Sequence, residues 1–206
     1  MKNGFSLLAL CLFSFTAAAK KLAYPMQVVA GMADLVVTGQ ISSVSGNTYT
    51  FDIDKTIKGI PAKQIIVKMF REWTCDVRAK KAEPGQKLLL FLTKANDSFD
   101  IINGSTGEIF INDNKVQFFM IAEKNIQLEE AVTAFKNFIS CYTLYNKDFV
   151  SFNKIIFNQL KTDSEIAALK KADPITRLLL EEMKGYSIRK LPVNVQRRKS
   201  ARIFIS

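Results

Sequence analysis

The sequence of 206 residues contains no histidine. This absence excludes Ser-His-Asp and Cys-His catalytic arrangements, histidine-ligated zinc sites and the usual general base near neutral pH. Glycine is also sparse, with nine residues. The one glycine-rich stretch, NGSTGE (103–108), lacks the lysine and the following helix of a phosphate-binding loop. We therefore predict no catalytic residue, no metal ligand set and no cofactor.

The first residues have the pattern of an export signal. Lys2 provides a positive start, residues 5–15 are mostly apolar, and a run of three alanines ends at Ala19, just before Lys20. The apolar run is shorter than the ~20 residues that a membrane-spanning helix needs. We expect cleavage between Ala19 and Lys20, which removes residues 1–19 and leaves a secreted or periplasmic protein without a transmembrane segment.

The net charge of +10 belongs to the ends of the chain. Residues 34–121 contain 11 Lys and Arg against 10 Asp and Glu, and residues 122–185 contain nine of each kind. Residues 186–206 contain six cations and no acid. Because the body is close to neutral, no nucleic-acid partner is expected. The basic tail is a candidate for contact with an acidic envelope surface.

The first half of the chain has the pattern of short strands. TYTFDIDKTI (48–57) alternates apolar and polar side chains, as a half-buried strand does, and QKLLLFLTK (86–94) is typical of a fully buried strand. Further strands are predicted over 35–44, 63–70, 98–103, 107–111 and 115–121, with turns at SGN, PG and NDN. Strands spaced by roughly ten residues with polar turns indicate an antiparallel barrel or sandwich.

The second half has helical periodicity. Residues 128–142 carry one apolar stripe, and a second helix is predicted over Asp148–Leu160. A capping box of Thr162 and Glu165 predicts the start of a third helix. Asp173 before Pro174 predicts the start of a fourth helix, which ends at Gly185. The pattern predicts a helical C-terminal part over 122–185, followed by the tail over 186–206.

Three stretches of the strand-rich half resemble a known family. ADLVVTGQISSV (33–44), TYTFDIDKTIKG (48–59) and PGQKLLLFL (84–92), with the lone Cys75 before the last, resemble the netrin-like OB-fold domain of the tissue inhibitors of metalloproteinases and their bacterial relatives. The resemblance covers about residues 25–121. It implies an OB-like barrel over 20–121 and a habit of binding other proteins. The predicted fold class is therefore α+β, a small antiparallel OB-like β-barrel followed by a helical part.

The inhibitory chemistry of that family is not expected in this chain. In the inhibitors, the mature N-terminal residue is a cysteine whose amino and carbonyl groups chelate the zinc of the protease. The predicted mature N-terminus is Lys20, and no cysteine lies near it. What the resemblance implies is therefore the scaffold and the binding of a protein partner.

FREWTCDVRAKK (70–81) holds the only tryptophan of the chain and is predicted to connect the third and fourth strands. Cys75 and Cys141 are candidates for a disulfide, because disulfides persist in exported proteins. The alternative is a reactive thiol at Cys75 beside several cations. Trp73 is expected to pack beneath this loop, with an exposed ligand anchor as the alternative. Arg71 and Arg78 are further candidate binding residues.

These observations favour an exported, non-enzymatic module that binds another protein. One alternative is a histidine-free envelope enzyme or thiol protein centred on Cys75. Another is a barrel that binds oligosaccharide or single-stranded nucleic acid, which requires exposed aromatic side chains on one face. Asp52 and Asp54 share one strand face and could bind calcium or form an acid pair, although polar residues on such a face are usually only solvated.

Overall fold

A computed structural model describes residues 21–118, 121, 125–145 and 155–191. The predicted cleavage site at Ala19 and Lys20 lies outside the described residues, and so does the tail beyond Leu191. No helix in this described part is long and apolar enough to cross a membrane.

The described residues form a strand-rich first half and a mixed second half. The strands are β1 (Leu35–Ser45), β2 (Thr48–Lys58), β3 (Gln64–Lys68), β4 (Lys87–Ala95), β5 (Ser98–Ile101), β6 (Glu108–Phe110), β7 (Lys115–Val116), β8 (Ile126–Gln127), β9 (Tyr142–Leu144), β10 (Ile156–Gln159) and β11 (Ser187–Lys190). The α-helices are α1 (Met26–Met32), α2 (Leu128–Cys141), α3 (Asp163–Ala172) and α4 (Pro174–Glu181), and 3₁₀ turns cover Gly104–Thr106 and Glu182–Gly185.

Five strands close into a barrel in the order β1-β2-β3-β5-β4, with β4 pairing back to β1. The neighbouring strands are antiparallel except for β3 and β5, which run parallel. Strand β6 continues the sheet at the edge of β4. The predicted fold class, α+β with an OB-like barrel and a helical part, is confirmed, with this one parallel pair as a refinement.

Strand β4 is apolar from Leu88 to Leu92, where both of its faces are buried. Leu88, Leu90 and Leu92 point into the barrel interior. Leu89 and Phe91 point outward into a second core, which the helices cover. There the Phe91 ring meets the Phe135 ring of α2 edge to face, with centroids 5.0 Å apart. Helix α2 therefore closes one side of the barrel with its predicted apolar stripe.

The second half corrects one prediction. Residues 156–159, predicted as the end of a helix over Asp148–Leu160, form strand β10, while residues 148–154 lie outside the described part. Strand β10 pairs antiparallel with β9 and parallel with β11, and β11 comes from the start of the predicted tail. Because these partners are distant in sequence, the local helical pattern could not reveal the strand.

The two predicted helix starts are confirmed. The Thr162 side chain accepts a hydrogen bond from the Glu165 backbone N–H, and the Glu165 carboxylate accepts one from the Thr162 N–H, which completes the capping box. The Asp173 carboxylate accepts bonds from the first turn of α4. These caps depend on residues only a few positions apart, so the sequence alone identifies them.

Candidate binding surface

The connection between β3 and β4 contains a tight turn at its most exposed part. The Trp73 N–H donates to the Asp76 carbonyl at 3.3 Å, and the Asp76 N–H donates to the Trp73 carbonyl at 2.9 Å. The turn leaves Trp73 39% exposed and the following Val77 61% exposed. The expectation that Trp73 packs beneath the loop is therefore not met, since more than a third of the residue is exposed.

The turn is anchored by Asp76, which is only 6% exposed. Its Oδ1 atom accepts hydrogen bonds from the Lys21 ammonium at 2.8 Å and from the Ser105 backbone N–H at 3.1 Å. Gly104 lies against the same carboxylate at φ 57°, and a Cβ atom there would lie 1.9 Å from Asp76 Oδ2. Only glycine fits this position, and charge-assisted hydrogen bonds hold the base of the turn in place.

The N-terminal segment, residues 21–24, lies beside this turn. The Asn103 side chain donates to the Leu22 carbonyl at 2.9 Å and accepts from the Tyr24 N–H at 3.0 Å. The Lys21 ammonium also donates to Ser105 Oγ at 2.9 Å. Leu22 is 57% exposed. We call the exposed residues of the segment and the turn (Leu22, Trp73, Cys75 and Val77) the Trp73 surface.

Arg78, predicted as a binding residue, is instead buried beneath this region. Its guanidinium pairs with the Glu108 carboxylate through Nε and, at 3.0 Å, through Nη2. The Tyr49 hydroxyl donates to the same carboxylate at 2.9 Å. Burial, reinforced by Glu108, raises the pKa of the Tyr49 hydroxyl far above its usual value, so the hydroxyl remains a donor. The structure therefore gives Arg78 a structural role inside the barrel.

The predicted disulfide between Cys75 and Cys141 is absent. Cys141 is enclosed in the apolar core at the end of α2, where burial raises the pKa of its thiol to about 11. Cys75 is exposed on the turn, which Asp76 anchors to Lys21 and Ser105. One sulfur is thus enclosed in the core while the other lies on a turn that is anchored to other residues, and the two are not bonded to each other.

Arg71 lies in a groove at one end of the barrel, two residues before Trp73. The groove has a volume of about 680 Å³ and is lined by Gly46, Asn47, Lys68, Met69, Phe70, Arg71, Asp100 and Ile101. It forms where the β1–β2 turn meets the chain leaving β3, and the Met69 N–H donates to the Asn47 carbonyl at 2.9 Å. We call it the Arg71 groove. The prediction placed Arg71 and Trp73 in one connection, and the structure exposes both.

A second cavity, of about 390 Å³, lies beside β6 and β7. Glu108 contributes to its lining, but its carboxylate is already occupied by Arg78 and Tyr49. This carboxylate is therefore not available as an acid or base for a ligand in that cavity.

The outer face of β2 and β3 does not have the side chains that the nucleic-acid and oligosaccharide hypothesis requires. Thr50 and Ile66 lie opposite each other there, and the next pair is Asp52 and Gln64. The Gln64 amide donates to the Asp52 carboxylate at 2.6 Å. Among the residues that the structure describes, no group of three or more cysteines and acids could hold a metal ion.

Lys21, Asp76, Asn103 and Glu108 organise this region, and sequence reasoning did not single them out. Their partners lie 29 to 84 positions away in the chain. The only local signal was the Asn-Gly dipeptide at residues 103–104, which is typical of a turn.

Comparison with models of protein families, with curated proteins and with solved structures finds no match to this chain. The netrin-like resemblance therefore rests on the three stretches of sequence alone.

Proposed function

We propose that this protein is an exported, non-enzymatic binding module that contacts another protein through the Trp73 surface. The observation that supports the proposal is a set of exposed apolar side chains on a rigidly anchored base. Leu22, Trp73 and Val77 are each more than a third exposed, and Asp76 ties their two segments together through Lys21.

The composition of this surface favours a protein partner over other ligands. Tryptophan is enriched among the residues that dominate the binding energy of protein interfaces. Exposed apolar side chains on a fixed backbone lose little conformational freedom when a partner covers them, so less of the binding free energy is lost to ordering. By contrast, the outer face of β2 and β3 offers threonine, aspartate and isoleucine, which are poor stacking platforms for bases or sugars.

A site-specific photocrosslinking experiment tests the proposal. A benzophenone amino acid replaces Trp73 in the mature protein, and the matched control carries it in place of Tyr145, which is 52% exposed on the second half of the chain. After irradiation in the native envelope or culture medium, we expect a discrete crosslinked protein from position 73 that position 145 does not yield. Identical patterns from the two positions, or no crosslinked protein from either, would refute the proposal.

The same experiment addresses the alternative of a thiol protein, which the exposure of Cys75 keeps open. A Cys75→Ser change in the crosslinking variant is expected to leave the crosslinked partner unchanged, since serine is close to cysteine in size and removes only the thiol. Loss of the partner in this variant would favour thiol chemistry at Cys75.

A further inference from the structure

The Arg71 groove offers a partner a second binding feature, which differs chemically from the Trp73 surface. Arg71 lines the groove and lies two residues before Trp73, so one partner segment can reach both features. The groove floor is apolar, because Met69 and Phe70 are half-buried against the barrel core and Ile101 is buried. A methionine in such a floor adapts its shape to different side chains.

The rim of this groove is mainly cationic. Lys68 and Arg71 are both exposed, and neither forms a salt bridge within the described residues. The half-buried Asp100 is the one acid among the lining residues. The rim therefore favours a ligand that brings negative charge.

Two charged residues of the surrounding loop are buried and paired with residues outside it. Asp76 is paired with Lys21, and Arg78 is neutralised by Glu108. The Glu72 carboxylate accepts a hydrogen bond from the Arg78 backbone. The charges that residues 71–81 expose are three cations and one acid: Arg71, Lys80, Lys81 and Glu72. Because one acid and one cation are buried together, the exposed charges of this loop keep the net charge of +2 that residues 71–81 carry in the sequence, and the surface next to Arg71 stays cationic.

We propose that the Arg71 groove binds an extended, acidic segment of the protein partner, with an apolar side chain of that segment on Met69 and Phe70. A carboxylate next to the apolar side chain pairs with Arg71 and Lys68. Arginine suits this role because its guanidinium can bind a carboxylate through two parallel hydrogen bonds. The inference rests on the proposed function, since it names the kind of partner that the same surface accepts.

Selection from a phage-displayed library of random peptides tests the groove directly. The mature protein is the target, and three variants are compared with it: Lys68→Glu with Arg71→Glu in the groove, Lys63→Glu with Lys94→Glu as the matched control, and Trp73→Ala. Lys63 and Lys94 are exposed but do not line the groove. Thermal unfolding verifies that each variant is folded.

We expect the wild-type protein to enrich peptides in which aspartate or glutamate adjoins an aromatic or aliphatic residue. The most enriched peptide, measured by fluorescence anisotropy, should bind the groove variant at least about tenfold more weakly, which corresponds to ~1.4 kcal/mol. The control variant should retain the wild-type affinity. The affinity for wild type should fall as salt is added, because the attraction is electrostatic.

The outcomes separate this inference from the proposed function. Enriched peptides without acidic residues, or peptides that bind the groove variant as well as wild type, would show that the groove does not select an acidic segment. If Trp73→Ala alone abolishes their binding, the Trp73 surface binds proteins without help from the groove. The absence of any enriched peptide also overturns the inference about the groove, while photocrosslinking at position 73 independently decides whether a protein partner exists.

Discussion

Arg78 shows how burial changes what a charged residue does. In the sequence it is one of several cations near Cys75, but in the fold it is 8% exposed and bound to a carboxylate that is also enclosed. Its guanidinium also lies over the rings of Tyr49 and Phe110, with 5.7 and 5.5 Å to the centroids. A charge in this position costs desolvation free energy, which its partner must offset.

Replacing Arg78 alone should therefore destabilise the protein strongly. In Arg78→Met, the Glu108 carboxylate stays buried without a cation, and we expect the free energy of unfolding to fall by about 3–5 kcal/mol. Adding Glu108→Met should restore much of this loss, because no uncompensated charge remains. Urea unfolding followed by circular dichroism measures both effects.

An exposed pair provides the control for this prediction. The side chains of Lys55 and Glu129 form a salt bridge between β2 and α2 and are 45% and 61% exposed. Glu129→Gln should change the free energy of unfolding by no more than ~1 kcal/mol, as is usual for surface pairs. Equal effects of Arg78→Met and Glu129→Gln would contradict the structural role of Arg78.

At the scale of elements, the N-terminal segment and the Trp73 turn form one unit. Neither has the regular hydrogen bonds of a helix or sheet along its length. The Asn103 side chain holds the N-terminal segment, and the Ser105 backbone N–H of the same loop holds the turn through the Asp76 carboxylate. Lys21 joins the N-terminal segment to the turn, since its ammonium binds Asp76. The same ammonium also binds Ser105 in the neighbouring loop. The order of the binding surface should therefore depend on this single side chain.

Lys21→Met should loosen the turn without unfolding the barrel. The change leaves the buried Asp76 carboxylate with the Ser105 N–H but without its cation, and a hydrogen bond to a charged group typically contributes about 1.5–3 kcal/mol. We expect amide hydrogens of residues 73–77 to exchange roughly tenfold faster or more, as measured by mass spectrometry. Amides of β4 should exchange at the wild-type rate.

Lys63→Met is the matched control for this change, because Lys63 is an exposed lysine in the β2–β3 connection. Its exchange pattern should equal that of wild type. Unchanged exchange at residues 73–77 in Lys21→Met would mean that the turn orders itself without the N-terminal segment.

At the scale of the whole molecule, the barrel and the second half share one core. The core outside the barrel contains Val36 and Phe91 from barrel strands together with Phe135 and Phe138 from α2. Phe118 contacts Phe135 as well, with ring centroids 5.3 Å apart. Without α2, these barrel side chains would face water. Exposing apolar surface costs a free energy of about 25 cal/mol for each Å².

The barrel should therefore not fold cooperatively on its own. A chain of residues 20–121 is expected to show no sharp thermal transition by near-ultraviolet circular dichroism. A chain of residues 20–191, which keeps the described contacts, should unfold in one transition like the mature protein. A cooperative transition in the shorter chain would show that the barrel is an independent domain.

Features that depend on neighbouring residues could be predicted from the sequence. The alternation of Tyr49 and Phe51 with polar residues places β2 in the barrel wall, and Asp173 before Pro174 marks the start of α4. These patterns are reliable because the periodicity of a strand and the cap of a helix are set within a few residues. The β-rich first half, the helical stripe of α2 and the fold class follow from them.

The tertiary structure alone decided which charges are exposed and which cysteine is enclosed. Arg71 and Arg78 lie in one short stretch of sequence, yet one lines an open groove and the other is bound to Glu108 inside the barrel. Strand β10 likewise exists because β9 and β11 provide its hydrogen-bonding partners. In each case the environment of the residue is created by residues far away in the chain. The local sequence therefore does not show which distant groups will bury a side chain or pair with it.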